Sequence, residues 1–492
     1  MSRDQGSLDK RNTLARVWAE RALEQQKTGQ DQEALAAAAQ ALKLDPDQAD
    51  MWHCIGFLLL KRGRWEEAAS YLKQALDVDP SHSLFRSHYA MALMEEQKLA
   101  EAYQQTQHAL SEASPCPDAL FIAGEILMRA GHYDRALSFY QQARQVPSLQ
   151  RSATFAEGAA HFMTGEFEHG LALLAAADPA YDPLALPDWQ GTTGQDQHIV
   201  LCGHYGFGDV LHFARYIEAL CTKVGKVTLQ LPGPLVGLMK KSFPNQSILV
   251  WSDENDKTLS PSLLASQTPP DATARCFYMN LPHMLGPPFD PKAQTVPYLK
   301  ADLDRVAFWK EKLAPLPRPH IGIVWAGNPL HQNDHNRSIP FAALEPLIKR
   351  AGRHLVSLQR GAGHSEGVRA GLFDASSSID DFMDSAACMM ALDLVISIDS
   401  APAHLAGGLG RPVWTLLPFN PDWRWLAQGE RSLWYPTMRL LRQSQPKDWY
   451  TPLSQLMVDL DDWLMGRVKS HPSVDVNQDS FLKKHPRALS GF

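Results

Sequence analysis

A glycine-rich loop near the middle of the chain is the first place where chemistry is expected. The run HIVLC is typical of a short buried strand, and Gly203, Gly206, Gly208 and Asp209 follow it before the helical pattern VLHFARYIEAL. A strand, a glycine turn and a helix start can turn backbone N–H groups toward an anion. The G-x-x-G-x-G spacing matches neither the dinucleotide fingerprint nor a phosphate-binding P-loop. On composition alone, Asp209 equally fits a helix N-cap.

A second candidate is the segment SIDSAPAHLAGG. Asp399 and Ser400 are predicted at the end of a strand, with Pro402 in the first turn of a helix. One interpretation is a capped helix in which Ser400 accepts backbone N–H bonds. The other is a helix N-terminus aimed at a diphosphate, with His404 one turn further on and facing the same ligand.

A third candidate is the long polar loop AGNPLHQNDHNRSIP, which contains Asn328 and ends with Arg337 before a helix. An arginine there could neutralise a phosphate leaving group. The loop histidines His331 and His335 have no carboxylate or cysteine support and do not predict a metal site. Asp302-Leu303-Asp304 resembles a D-x-D metal motif but falls in a linker, so it carries little weight.

These segments belong to a pattern of alternating strands and helices. HIVLC, KVTLQL, HIGIVWAG, HLVSLQ, DLVISID and PVWTLL are predicted strands with helical patterns between them. Alternation of this kind predicts parallel sheets covered on both faces, here as two doubly wound domains with a cleft between them. Ligands of such sheets bind beyond the carboxyl ends of the strands, which adds Gln359, after HLVSLQ, to the candidates.

The first third of the chain contains a 34-residue repeat. Small residues recur in three columns, listed here in chain order: Ala22, Gly56, Ala90, Gly124, Gly158; Ala34, Ala68, Ala102, Ala136, Gly170; Ala41, Ala75, Ala109, Ala143, Ala177. Small residues at fixed positions let two helices of a hairpin approach closely, and Pro46 and Pro80 stop the second helix of two copies. The pattern predicts five helix pairs over residues 15–184. It resembles the tetratricopeptide repeat, a solenoid that takes a peptide or partner protein on its concave face; a scaffold that only dimerises or solubilises the chain is the alternative.

Composition limits the classes of protein that the chain can belong to. Of 492 residues, 47 are Lys or Arg and 54 Asp or Glu, a formal net charge of -7, which disfavours general nucleic-acid binding. The first 184 residues hold 17 basic and 25 acidic side chains, so the acidity belongs to the repeats. The six cysteines form no C-x-x-C pair, and no apolar run is long enough to predict a signal peptide or a membrane span. These features predict a cytoplasmic protein.

Several C-terminal segments together resemble a known kind of enzyme. They are GFGDVLHFARY, GIVWAGNPLHQNDHNRSIP, SLQ, DLVISIDSAPAHLAGGLGRPVW, DWRWL and SLWYPTMRLLRQ. Over residues 189–463 the chain resembles bacterial tetratricopeptide proteins with a C-terminal glycosyltransferase domain, similar to the ADP-heptose:lipopolysaccharide heptosyltransferases of glycosyltransferase family 9. That resemblance implies a GT-B fold, made of two Rossmann-like halves.

The resemblance also implies roles for single residues. Asp209 matches the catalytic base, and Gly206 and Gly208 belong to its glycine loop. The donor-binding residues would be Asn328, Arg337, Gln359, Asp399, Ser400 and His404. One departure is that relatives often read E-Q-G-L-G-D, where this chain has His204 in place of the glutamate.

The implied function is transfer of a sugar from a nucleotide sugar to a hydroxyl of a protein acceptor held by the repeats, with flagellin as one candidate. No metal and no cofactor other than the nucleotide-sugar substrate is implied. A heptosyltransferase acting on lipopolysaccharide core is the first alternative, and a non-catalytic adaptor with a relic GT-B domain is the second. The predicted domains are the repeat solenoid (1–184), the acceptor-side half (185–305), the nucleotide-sugar half (306–465) and a polar tail (466–492).

Overall fold

The computed structural model describes residues 2–177, 184, 186–203, 206–250, 268–286, 296–465 and 467, with side chains from Lys10 onward. His204 and the predicted polar tail lie outside the described residues, apart from Arg467. Contacts divide the chain into two units, the first within residues 1–160 and the second beginning at His161. No helix in the described part of the chain has the length and apolar character needed to cross a membrane.

Helices alone build the N-terminal part of the described chain. They are α1 (Ser2–Lys27), α2 (Asp31–Leu44), α3 (Ala49–Lys61), α4 (Trp65–Val78), α5 (Ser83–Glu95), α6 (Leu99–Ser111), α7 (Asp118–Arg129), α8 (Tyr133–Ala143), α9 (Gln150–Thr164) and α10 (Phe167–Ala176). In the first unit α1 packs on α2, α3 on α4, α5 on α6 and α7 on α8, and α2, α4 and α6 each pack on the following helix. These contacts confirm the predicted helical hairpins stacked in chain order.

The small residues of the repeat are where the two helices of a hairpin approach most closely. A Cβ on Gly56 would lie 2.6 Å from Leu72 Cγ, and one on Gly124 would lie 2.5 Å from Tyr140 Cε1. The alanine columns are fully buried in the first four copies. The turn between the two helices of each hairpin contains a further repeated position, which the sequence analysis missed. A residue with positive φ recurs there every 34 residues, at Gly29, Gly63, Gln97, Gly131 and Gly165. Glycine suits that turn because it adopts positive φ without a steric penalty.

The second unit contains two parallel sheets. Their strands are β1 (Gly194–Cys202), β2 (Val224–Leu231), β3 (Ser247–Val250), β4 (Ala274–Phe277), β5 (Ile321–Val324), β6 (Leu355–Ser357), β7 (Phe373–Asp374), β8 (Leu394–Ile398), β9 (Val413–Leu417) and β10 (Met438–Arg442). The helices between and after them are α11 (Phe207–Phe213), α12 (Ile217–Lys223), α13 (Val236–Ser242), α14 (Leu281–Met284), α15 (Leu303–Leu313), α16 (Asp334–Arg337), α17 (Glu345–Ala351), α18 (His364–Arg369), α19 (Phe382–Ala391), α20 (Ala401–Gly408) and α21 (Tyr450–Leu464).

The strand order identifies where a ligand is expected. The first sheet has the order β3-β2-β1-β4, and the second has β10-β9-β8-β5-β6-β7. If β5 to β10 are renumbered 1 to 6, the second sheet has the 3-2-1-4-5-6 order of doubly wound folds. The strands that follow β5 and those that follow β8 are added in opposite directions across the sheet, so the switch point lies between β5 and β8. The crevice beyond the carboxyl ends of these two strands is therefore the expected binding position. The prediction of parallel sheets is confirmed, since every pairing between named strands is parallel.

A continuous apolar core supports the second sheet. Ile321 and Ile323 of β5, with Ile396 of β8, are buried against residues of α21 such as Leu456 and Leu460. Runs of apolar residues without alternation are what strands buried on both faces require. The core holds the ends of β5 and β8 in place, and with them the loops that follow.

Two helix caps that the sequence analysis left open as alternatives are not formed. Ser400 is the residue before α20, but its hydroxyl makes no capping bond and instead donates to the carbonyl of Ile398 at 3.4 Å. Asp209 is not a helix cap either, since Gly206 occupies that position and Asp209 is the third helical residue. Asp302 of the D-x-D segment does cap a helix, accepting from the backbone N–H groups of Asp304 and Arg305.

Candidate functional site

Asp209 lies in the first turn of α11, directly after the glycine loop. One of its carboxylate oxygens accepts a hydrogen bond from Arg424 Nη2 at 2.6 Å, while 26% of the side chain remains exposed. Burial raises the pKa of Asp209 above its ordinary value, against the opposing effect of the Arg424 guanidinium. A carboxylate that is partly desolvated yet reachable has the character of a general base.

Gly208 brings α11 against α20. A Cβ at Gly208 would lie 3.1 Å from Cδ2 of His404 and 3.6 Å from Cα of Ala401. The glycine therefore permits the first turns of the two helices to approach closely. An added Cβ at Gly206 would make only an ordinary contact, 3.7 Å from Asp209 Oδ2. Of these two glycines, Gly208 is therefore the one whose position leaves little space for a side chain.

The loop after β5 folds onto the end of β8, as the strand order requires. Arg337 Nη1 donates to the backbone carbonyl of Asp399 at 3.1 Å, and its Nε donates to Asp334 at 3.1 Å. Gly327 makes room for this arrangement, because a Cβ there would lie 2.3 Å from Asp334 Oδ1 and 2.8 Å from Arg337 Nη2. The cation predicted for a phosphate leaving group is thus held at the strand end that carries Asp399 and Ser400.

Asp399 is a second perturbed carboxylate of the site. Burial first, and then the neighbouring carboxylate of Asp422, raises the pKa of Asp399 to about 6. Arg337 and Arg424 act in the opposite direction but do not offset the burial. Asp399 therefore titrates close to neutral pH, in contrast to an exposed aspartate.

His404 is buried one turn into α20 and is tied to the rest of the site through Tyr435. Its Nδ1 lies 2.9 Å from the Tyr435 hydroxyl, which is also 3.0 Å from Nδ1 of His212. Burial, followed by nearby arginines, lowers the pKa of both histidines well below the ordinary value, so both rings are neutral. The His404 ring also stacks on Trp425, with ring centroids 5.0 Å apart.

Two of the predicted donor-binding residues are occupied by local hydrogen bonds. The Gln359 amide oxygen accepts from the backbone N–H groups of Trp325 and Ala326, and its nitrogen donates to three backbone carbonyls. Asn328 is exposed, and its side chain accepts from the N–H of Leu330 in its own loop. Both residues shape the loops beside β5 and β6.

Arg424 is the central residue that the sequence reasoning did not assign. It is 7% exposed, and besides Asp209 it contacts Asp422 through Nη1 at 2.8 Å. Its segment DWRW contributed to the resemblance without a role for any single residue. An arginine two residues after an aspartate, in a loop that follows β9, is a signal that could have placed it near the ligand crevice.

The site therefore combines two guanidiniums, a helix start and a reachable carboxylate. Arg337 and Arg424 are its cations, α20 presents its N-terminus there, and Asp209 lies next to Arg424. No three carboxylate or histidine ligand atoms of this cluster converge closely enough to form a metal group among the residues that the structure describes. The arrangement suits a diphosphate flanked by a carboxylate that can accept a proton.

Comparison with known proteins concerns the N-terminal helices most directly. Three models described as tetratricopeptide repeat match residues 15–48, residues 59–120, and residues 104–149 with 123–185. The N-terminal helices are tetratricopeptide repeats. These matches end at residue 185, before the first strand of the α/β region begins at Gly194.

Other similar proteins match the chain at low identity. Protein FlbA of Caulobacter vibrioides is 24% identical over 519 aligned residues, covering 93% of this chain and 86% of FlbA. The structure of PilF from Pseudomonas aeruginosa is 17% identical with a TM-score of 0.32, covering 35% of this chain and 80% of PilF. YrrB, a tetratricopeptide repeat protein with an unusual peptide-binding site, is 19% identical with a TM-score of 0.29, covering 33% of this chain and 86% of YrrB.

Proposed function

We propose that the α/β region is a glycosyltransferase that moves a sugar from a nucleotide-sugar donor to a hydroxyl of a protein acceptor, which the tetratricopeptide repeats recruit. The observation that carries the proposal is the convergence of Asp209, Arg337, Arg424 and the start of α20 at the switch point of the second sheet. A general base and an anion site are the two functions that this reaction needs. Flagellin is one candidate acceptor.

The reaction is a displacement at the anomeric carbon of the donor. Asp209 accepts the proton of the acceptor hydroxyl as the hydroxyl oxygen bonds to that carbon. The bond between the anomeric carbon and the phosphate oxygen breaks, and its electron pair leaves with the nucleoside diphosphate. Arg337, Arg424 and the N-terminus of α20 stabilise the charge that develops on this leaving group. The scheme uses no metal, because two guanidiniums and a helix dipole occupy that role.

The repeats support a protein acceptor over a small one. Tetratricopeptide repeats typically mediate protein–protein contacts, and the acidic balance of the first 184 residues favours a basic or neutral segment. A small glycan acceptor such as lipopolysaccharide core needs no such surface. Transfer to lipid A core and none to protein would favour the heptosyltransferase alternative, and absence of any nucleotide-sugar binding would favour the adaptor.

A substitution at Asp209 tests the proposal. Thermal shifts with ADP-, UDP- and GDP-sugars, which release a nucleoside diphosphate, and with CMP-sugars, which release a monophosphate, first identify the donor class. With that donor, Asp209→Asn should lower the transfer rate by about 10²-fold or more, since general-base catalysis contributes about 10²–10⁴-fold. Asp196→Asn, at an exposed position in β1, is the matched control and should retain full activity. A folded Asp209→Asn protein that transfers sugar at the wild-type rate contradicts the role of Asp209.

A further inference from the structure

The carboxylates around Arg424 outnumber the cations available to them. Asp209 and Asp422 both accept hydrogen bonds from its guanidinium, at 2.6 and 2.8 Å, and Asp399 also interacts with it electrostatically. Among the other guanidiniums at this end of the sheet, Arg337 is paired with Asp334, and Arg442 donates to backbone carbonyls. A diphosphate that enters this cluster must therefore compete with carboxylates already bound to Arg424.

Arg424 also retains a donor for a ligand. Its Nε–H is buried without a hydrogen-bond partner among the residues that the structure describes, although the side chain is more than nine-tenths buried. A buried N–H of a charged group is costly to leave unpaired, and such groups are rare in folded proteins. The unpaired donor points to an acceptor-rich ligand that completes the coordination of the guanidinium.

The backbone that carries Arg424 is held rigidly. Asp422 accepts the backbone N–H of Arg424 at 3.0 Å, and the carbonyl of Arg424 accepts from the indole of Trp434 at 2.7 Å. Immediately downstream, Arg442 donates to the carbonyls of Trp425 and Leu426 at 2.5 and 2.9 Å. Leu426 has a φ of 57°, which is unfavourable for a leucine and persists only where the surroundings enforce it. A loop fixed in this way positions one guanidinium while leaving its partners exchangeable.

We propose that Arg424 exchanges partners during the reaction: in the free protein it binds Asp209, and when the nucleotide sugar arrives it binds the diphosphate and releases Asp209. This inference rests on the proposed function. Once released, Asp209 loses the cation that opposes its protonation, so it becomes a stronger base when the leaving group is in place. Arg424 thus positions the base in the free protein and stabilises the leaving group in the complex. The exchange favours binding of the donor before the acceptor.

The exchange makes opposite predictions for the two members of the ion pair. Arg424→Gln should weaken the binding of a diphosphate by about tenfold or more, because a charge-assisted contact is lost. Asp209→Asn should tighten the binding of the diphosphate by about fivefold, because the carboxylate that competes for Arg424 is gone. Coupling between two ligands of one site typically changes an affinity by about fivefold or more. If the Asp209–Arg424 ion pair only stabilises the fold, Asp209→Asn should not tighten the binding of the diphosphate. The double variant should bind like Arg424→Gln alone.

Isothermal titration of the full chain with inorganic pyrophosphate, inorganic phosphate, ADP, UDP and GDP measures these affinities. Arg439→Gln is the matched control, since Arg439 forms a half-buried ion pair with Asp459 at 2.8 Å, and it should leave the affinities unchanged. Tighter binding of the nucleoside diphosphate than of pyrophosphate or phosphate identifies the nucleotide as the source of the diphosphate. Wild-type protein that binds none of the five overturns the inference, as does Asp209→Asn binding equal to or weaker than wild type.

The outcomes separate this inference from the proposed function. If Arg424→Gln does not fold, the Asp209→Asn result decides, with Arg424→Lys expected to bind at an intermediate affinity. If Arg424→Gln weakens and Asp209→Asn tightens diphosphate binding but no sugar is transferred, the partner exchange is supported and the glycosyltransferase proposal is rejected. Sugar transfer without the pattern would retain the enzyme and reject the exchange.

Discussion

The hydroxyl of Tyr435 offers the sharpest stability prediction, because one atom joins two buried histidines. Tyr435 is fully buried, and its hydroxyl lies 3.0 Å from Nδ1 of His212 in α11 and 2.9 Å from Nδ1 of His404 in α20. A hydroxyl has one proton to donate, so one histidine accepts from it while the other donates to it. Tyr435→Phe keeps the ring and removes the hydroxyl that forms this bridge.

The expected cost follows from the number of groups left without a partner. Each buried polar atom that loses its partner costs about 1–3 kcal/mol. Two Nδ1 atoms are affected, so Tyr435→Phe should lower the free energy of unfolding by about 2–6 kcal/mol. For a region of this size 1 kcal/mol corresponds to roughly 2–4 °C, which predicts a decrease in Tm of at least about 4 °C in the second unit.

Differential scanning calorimetry of the full chain measures this decrease. Tyr450→Phe is the control, since Tyr450 is 81% exposed and should leave Tm unchanged. In a His404→Leu background only one Nδ1 remains to be orphaned, so the further loss from Tyr435→Phe should be about half as large. A Tyr435→Phe protein as stable as the Tyr450→Phe control would refute the idea that the hydroxyl bridges the two helices.

Two further predictions concern the repeats and the pH dependence of stability. Gly124→Ala places a Cβ against the ring of the buried Tyr140 and should destabilise the first unit by about 1–3 kcal/mol, whereas Gln141→Ala at an exposed position should not; equal Tm values would contradict the close approach. Burial, then Asp422, raises the pKa of Asp399 to about 6, so the stability associated with its protonated form is fully present below pH 4 and is lost as the pH rises through 6. Asp399→Asn should therefore raise Tm relative to wild type at pH 7.5 but not at pH 4, and a gain that does not change with pH would refute this explanation.

The local pattern of residues determined most of the architecture. The 34-residue columns predicted the helical hairpins because every copy needs small residues at the same contacts, and the turn with positive φ recurs at the same spacing. Apolar runs between helical patterns predicted parallel strands, because strands buried on both faces have no polar side. The continuous helix predicted from VLHFARYIEAL is divided into α11, a 3₁₀ turn at Ala214–Tyr216 and α12, since pattern alone does not specify where a helix tightens.

The site was only partly accessible from sequence. Arg337 and Asp399 were both expected at the nucleotide sugar, from the resemblance and because each follows a predicted strand of a parallel sheet. The partner of Asp209 was not predicted: Arg424 lies 215 residues further along the chain, and no periodicity relates the two. Likewise, the bridge from His212 to His404 through Tyr435 depends on three separate segments. Sequence determines which residues lie at strand ends and helix starts, whereas ion pairs and hydrogen bonds form between atoms that only the packing of the complete fold brings within 3 Å.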